Sequence, residues 1–136
     1  MTSETQTPEQ TEAAGAELAK RLRPGDVVLV SGELGSGKTT FVRGACRALG
    51  VDGPVTSPTF TIEQIYDGAH AEIAHLDLYR LSSLAGEDPG LLDDYLTPDR
   101  FAFVEWPEAG EPAIERVAAQ VRLEHSGEDR RRIQIS

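Results

Sequence analysis

The stretch that decides the fold is Val27-Val28-Leu29-Val30-Ser31-Gly32-Glu33-Leu34-Gly35-Ser36-Gly37-Lys38-Thr39-Thr40-Phe41-Val42. Its first residues are apolar without alternation, the pattern of a strand covered on both faces in a parallel sheet. The glycines from Gly32 to Gly37 follow at once, and then Phe41, Val42, Ala45, Cys46 and Leu49 recur at helical spacing up to Gly50. Strand, glycine loop and helix in that order form the setting in which a Gly-x-x-x-x-Gly-Lys-Thr run reads as a phosphate-binding loop. Glycines let successive N–H groups turn inward toward phosphate oxygens, and the helix presents its positive dipole end to the same charge. Leu34, Gly35, Ser36, Gly37, Lys38, Thr39 and Thr40 are therefore the expected nucleotide contacts. Lys38 is placed to reach the β- and γ-phosphates, and the Thr39 hydroxyl to ligate Mg²⁺.

Working outward, Thr7-Pro8-Glu9-Gln10 supplies an N-cap, a first-turn proline and an early acid, so a helix is expected from about Pro8 to Leu22. The polar residues before it, about the first six, are expected to fray. Phe60 to Tyr66 and Glu72 to Tyr79 read as a hairpin turning at Asp67-Gly68. In the second of these strands, alternation puts His75 and Asp77 on one face. The acidic segment from Leu81 to Arg100 is interrupted by Pro89 and Pro98 and reads as short helical turns. Phe101 to Glu105 is a further buried strand, and two β-prone pieces around Val121-Leu123 and Ile133-Ile135 suit a closing hairpin. The order of elements predicts an α/β protein, a three-layer P-loop NTPase-like fold with a mixed sheet flanked by helices.

A chain of 136 residues suits one hydrophobic core, so residues 1–136 are read as a single domain. The formal net charge of −10 argues against direct binding of nucleic acid, which needs a basic face. A single cysteine, Cys46, excludes an internal disulfide and reads as a buried core thiol. No apolar run approaches the roughly 18 to 20 residues of a membrane span, and the opening residues lack the blocks of a signal peptide, so the cytoplasm is the expected location.

Mg²⁺ takes oxygen ligands and usually one or two from protein, so a carboxylate must meet Thr39 from a neighbouring strand end. Asp77 and Glu105 each end an apolar run and are both candidates. Trp106 is a candidate to shield the nucleotide, against its ordinary role in packing. His75 reads as a satisfied structural histidine rather than a base. The run Arg130-Arg131-Arg132 reads as a solvated strand edge, with one guanidinium placed on a phosphate as the alternative.

Gly32-Glu33-Leu34-Gly35-Ser36-Gly37-Lys38-Thr39-Thr40-Phe41, Ser57-Pro58-Thr59-Phe60, His75-Leu76-Asp77-Leu78-Tyr79-Arg80-Leu81 and Val104-Glu105-Trp106-Pro107 together resemble the TsaE (YjeE) family. The resemblance implies a Mg²⁺-dependent ATPase required for threonylcarbamoyladenosine formation at the tRNA adenosine next to the anticodon. It implies low intrinsic activity, TsaD and TsaB proteins as partners, and contact with tRNA only through that complex. Carried onto this chain, Lys38 and the loop hold phosphates, Thr39 and Glu105 ligate Mg²⁺, Asp77 is the Walker B-like acid, and Thr59 belongs to a switch-like segment. Arg130 is the arginine expected near the nucleotide. The sequence departs from the family at Glu87-Asp88-Pro89-Gly90-Leu91, where its pattern is only approximate. A small-molecule P-loop kinase is the leading alternative, weakened by the lack of an arginine cluster between Leu81 and Arg100. A GTPase switch, suggested by Thr59, is weakened because this chain has no Asn-Lys-x-Asp base-reading motif, and a nucleotide-dependent scaffold without useful hydrolysis is the third reading.

Overall fold

The computed structural model describes residues 2–33, 36–55, 63–77, 96–106 and 117–136. Its elements are β1 (Thr2–Thr5), α1 (Pro8–Ala19), β2 (Val27–Ser31), α2 (Lys38–Ala48), β3 (Glu63–Asp67), β4 (Glu72–Asp77), β5 (Phe101–Trp106), β6 (Val117–Gly127) and β7 (Arg130–Ile135). The strands form one sheet of seven in the order β1-β7-β6-β2-β5-β4-β3. The four inner strands β6, β2, β5 and β4 are parallel, β3 and β7 pair antiparallel at their two sides, and β1 pairs antiparallel with β7, so the sheet is mixed as the sequence predicts.

The unbroken apolar run of β2 is explained by its place in this sheet. Val28 and Val30 join a core with Leu18, Phe41, Val42, Ala45, Cys46 and Phe103, packed under both helices. Val27 and Leu29 face the other way, into a second cluster with Ala74, Leu76, Ala102 and Val104. A strand buried on both faces has no polar side to alternate with. Cys46 lies in the first core, and burial pushes its thiol up to about 12.

α1 begins where its capping residues predict. The Thr7 hydroxyl accepts from Gln10 N–H at 3.1 Å, Pro8 opens the first turn, and the Gln10 side chain returns to Gln6 N–H at 2.8 Å. The helix ends at Ala19 rather than near Leu22, because Arg21 and Leu22 donate to Leu18 and Ala19, tightening the chain into a three-residue turn before Pro24. The hairpin of β3 and β4 closes with Gly68 N–H on Ala71 O, and that of β6 and β7 turns at Glu128 and Asp129 as expected. Of the segment from Leu81 to Arg100 expected to form short helical turns, residues 81–95 fall outside the described residues, and the rest turns before β5 with Arg100 N–H on Thr97 O at 3.3 Å.

The N-terminus departs from the expected fraying. Thr2–Thr5 pairs antiparallel with β7, from Thr2 opposite Gln134 to Thr5 opposite Arg131. The unpaired backbone edge of β7 supplies partners that a polar segment lacks alone. The buried Thr5 hydroxyl then meets that of Thr11 at 2.7 Å and fixes the strand to α1.

α1 and α2 pack closely enough that a Cβ on Gly44 would stand 1.9 Å from Glu12 O. Glu12 also pairs with Arg43 and Arg47, each at 3.6 Å, across the same contact. Gly44→Ala tests which effect wins. Alanine favours an isolated helix by about 1 kcal/mol. A methyl driven into backbone typically costs about 1–3 kcal/mol, because a carbonyl cannot turn aside as a flexible side chain does. Urea unfolding is expected to show a net loss of up to about 2 kcal/mol with an unchanged m-value, and a gain in stability would contradict this packing.

Candidate functional site

β2, β5 and β4 run side by side in parallel, so their C-terminal ends meet at one level. Val30 lies opposite Glu105 and Glu105 opposite Asp77. Ligands of parallel α/β sheets gather outside such strand ends. The chain leaves β2 through Gly32 and enters α2 at Gly37, whose φ of 98° lies in the region glycine tolerates. No side chain caps α2, and its first turn carries no acid, so its leading N–H groups and positive dipole end are left for an anion.

Lys38 folds back over this loop. Its ammonium donates to Gly32 O at 2.6 Å and Glu33 O at 3.0 Å. Burial lowers its pKa from the ordinary lysine value, opposed by the negative charges of Glu105, Asp77 and Glu33. The Thr39 hydroxyl donates toward both oxygens of Glu105, 3.3 Å from each. Glu105 is almost wholly buried, and its Oε2 also takes a short hydrogen bond from Nε2 of the buried His75. The other ring nitrogen, Nδ1, meets the Tyr66 hydroxyl at 3.1 Å, and that hydroxyl meets Gln64 Oε1 at 2.5 Å. A line of contacts therefore runs from the start of α2 through β5 and β4 to β3.

Two buried polar atoms among the described residues lack a hydrogen-bond partner, Ser36 Oγ and Arg131 Nε. Both lie at the loop, Ser36 within it and Arg131 beside Gly37. A cavity of about 30 Å³ opens here, lined by Pro8, Thr11, Gly37, Thr40, Asp129 and Arg131. Unpaired buried donors beside a helix N-terminus suit an anionic ligand, and one carboxylate next to a hydroxyl suits Mg²⁺, which completes its shell from phosphate and water.

The structure thus brings Ser36, Gly37, Lys38, Thr39, Thr40, Asp77 and Glu105 to one end of the sheet. Leu34, Gly35, Thr59 and the side chain of Trp106 lie outside the described residues, while the Trp106 backbone closes β5 opposite Ser31. Arg130, expected near the nucleotide, instead extends along the turn at Gly127, and it is Arg131 that stands against the loop. The signal was present in the sequence. Arg131 shares the alternation of Ile133 and Ile135, and that face of β7 packs under the helices. His75 is the satisfied histidine expected, but its hold on Glu105 was not foreseen, since it depends on β4 lying beside β5.

Strand, glycine loop, uncapped helix start and a carboxylate at the neighbouring strand end define a phosphate-loop α/β protein. The family described as threonylcarbamoyl adenosine biosynthesis protein TsaE matches residues 5–133, and the chain belongs to it. Among relatives called tRNA threonylcarbamoyladenosine biosynthesis protein TsaE, that of Bacillus subtilis is 37% identical, over 95% of this chain and 80% of its own. That of Streptomyces coelicolor is 42% identical, over 89% of this chain and 75% of its own. The crystal structure of Bacillus subtilis YdiB superposes with a TM-score of 0.76 at 32% identity, covering 99% of this chain and 83% of that one.

Phosphate bound in the loop adds negative charge beside Lys38 and opposes the burial that lowers its pKa. The chain has only two lysines, Lys20 and Lys38, so selective lysine labelling isolates the signal. NMR titration is expected to show Lys38 losing its proton below the ordinary lysine range in the free chain and at higher pH once ATP is added. An unmoved titration under saturating ATP would contradict phosphate contact at this amine.

Proposed function

We propose that the chain is a Mg²⁺-dependent ATP-binding and hydrolysing helper in threonylcarbamoyladenosine modification of tRNA next to the anticodon, acting with TsaD and TsaB proteins. Family membership supports the pathway. The observation that carries the chemistry is the Thr39 hydroxyl set against both oxygens of Glu105, beside a loop covered by Lys38. These are the parts phosphoryl transfer requires, because its catalysis rests on positioning and charge neutralisation.

In this reading Lys38 exchanges its bonds to Gly32 O and Glu33 O for phosphate oxygens, and Ser36 Oγ donates to a phosphate. The α2 N–H groups hold the same charge. Thr39 and Glu105 hold Mg²⁺, which when bound neutralises charge developing on the phosphates. Asp77, opposite Glu105 in register, serves as the Walker B-like acid at the edge of the site. Arg131, whose Nε is unpartnered beside Gly37, lends its guanidinium to the phosphates. Thr59 acts as a switch-like residue over the γ-phosphate, and Trp106 shields the nucleotide. The net charge of −10 fits a protein that reaches tRNA through partners. No helix among the described residues is long and apolar enough to cross a membrane, which accords with action in the cytoplasm.

Phosphate release from ATP, followed with and without TsaD and TsaB, tests the proposal. The isolated chain is expected to turn over slowly and to rise about tenfold or more with both partners, as charge or ordering supplied in trans does for other phosphoryl-transfer proteins. Full activity from the chain alone, unaltered by partners, would favour a small-molecule kinase.

A further inference from the structure

We propose that His75 makes the site select Mg²⁺ over Ca²⁺ by occupying one oxygen of Glu105, so that a single carboxylate oxygen is presented to the ion. The inference rests on the reading of Thr39 and Glu105 as metal ligands. Thr39 does not distinguish the two carboxylate oxygens, lying 3.3 Å from each. His75 does, because its Nε2 contacts Oε2 and not Oε1, so that Oε1 carries no bond from the imidazole.

The imidazole is not free to release that oxygen. It is wholly buried, and Nδ1 is held by the Tyr66 hydroxyl, which is itself held by Gln64. Drawing Oε2 away toward an ion would leave the buried Nε2 without its partner. Ca²⁺ takes six to eight oxygens in flexible geometry and often uses both oxygens of one carboxylate, whereas Mg²⁺ keeps to an octahedron filled by few protein ligands. Withholding Oε2 therefore removes a ligand that Ca²⁺ uses and Mg²⁺ does not need. Hydrogen-bonded partners behind a metal ligand commonly tune its geometry in this way.

The test is the affinity for ATP measured by calorimetry in Mg²⁺ alone and in Ca²⁺ alone, expressed as the ratio of the two. His75→Leu removes the donor, His75→Gln keeps an N–H near the place of Nε2, and Tyr66→Phe loosens the imidazole from behind. Circular dichroism checks that each variant is folded. The ratio is expected to move toward Ca²⁺ by about fivefold or more in His75→Leu, to stay near the native value in His75→Gln, and to move part of the way in Tyr66→Phe. Loss of affinity by the same factor with both ions in His75→Leu would show a purely structural role and overturn the inference. Should that variant not fold, an unchanged ratio in Tyr66→Phe overturns it instead. A native chain whose ATP affinity responds to neither ion would sink the metal reading itself, and this inference with it.

Discussion

The parallel register of β2, β5 and β4 is the constraint on which the site depends, since it brings the loop after β2, Glu105 and Asp77 to one edge of the sheet. That register is specified by burial. Val28, Val30 and Phe103 must face the helices while Leu29, Ala102 and Val104 face the second cluster. A slip by one residue would exchange the two sets and turn Glu105 away from Thr39. The packing of the sheet and the geometry of the site are therefore one problem with one solution.

A carboxylate as buried as Glu105 needs donors, and the structure provides them from two elements. Thr39 donates from the first turn of α2 and His75 from β4. Lys38 shows the complementary strain, a buried ammonium kept by two loop carbonyls and depressed by its surroundings. Both residues are held by contacts that phosphate and a divalent ion could replace.

Much of this was legible because local pattern and global burial agree. The run Val27 to Val30 could only be a strand covered on both faces, and the glycines and helix after it fixed the phosphate loop. Glu105 was legible as a strand-end acid, although choosing between it and Asp77 as the neighbour of Thr39 needed the order of strands. What escaped depended on distant pairing. Thr2 to Thr5 has no apolar pattern and becomes a strand only because β7 offers an edge. Which arginine of the run stands beside Gly37 was not legible either, for in a strand adjacent residues face opposite ways and the shift in pairing between His125 and Gly127 hides which is which.

We propose that Glu105 and Thr39 together hold the ion that accompanies ATP. Calorimetric titration of ATP, with and without Mg²⁺, into the native chain and Glu105→Gln tests it most directly, because glutamine keeps the size of the side chain and removes its charge. The gain in affinity brought by Mg²⁺ is expected to fall about tenfold or more in the variant, while affinity without the ion does not fall. An undiminished gain in folded Glu105→Gln would place the ion elsewhere and contradict the account.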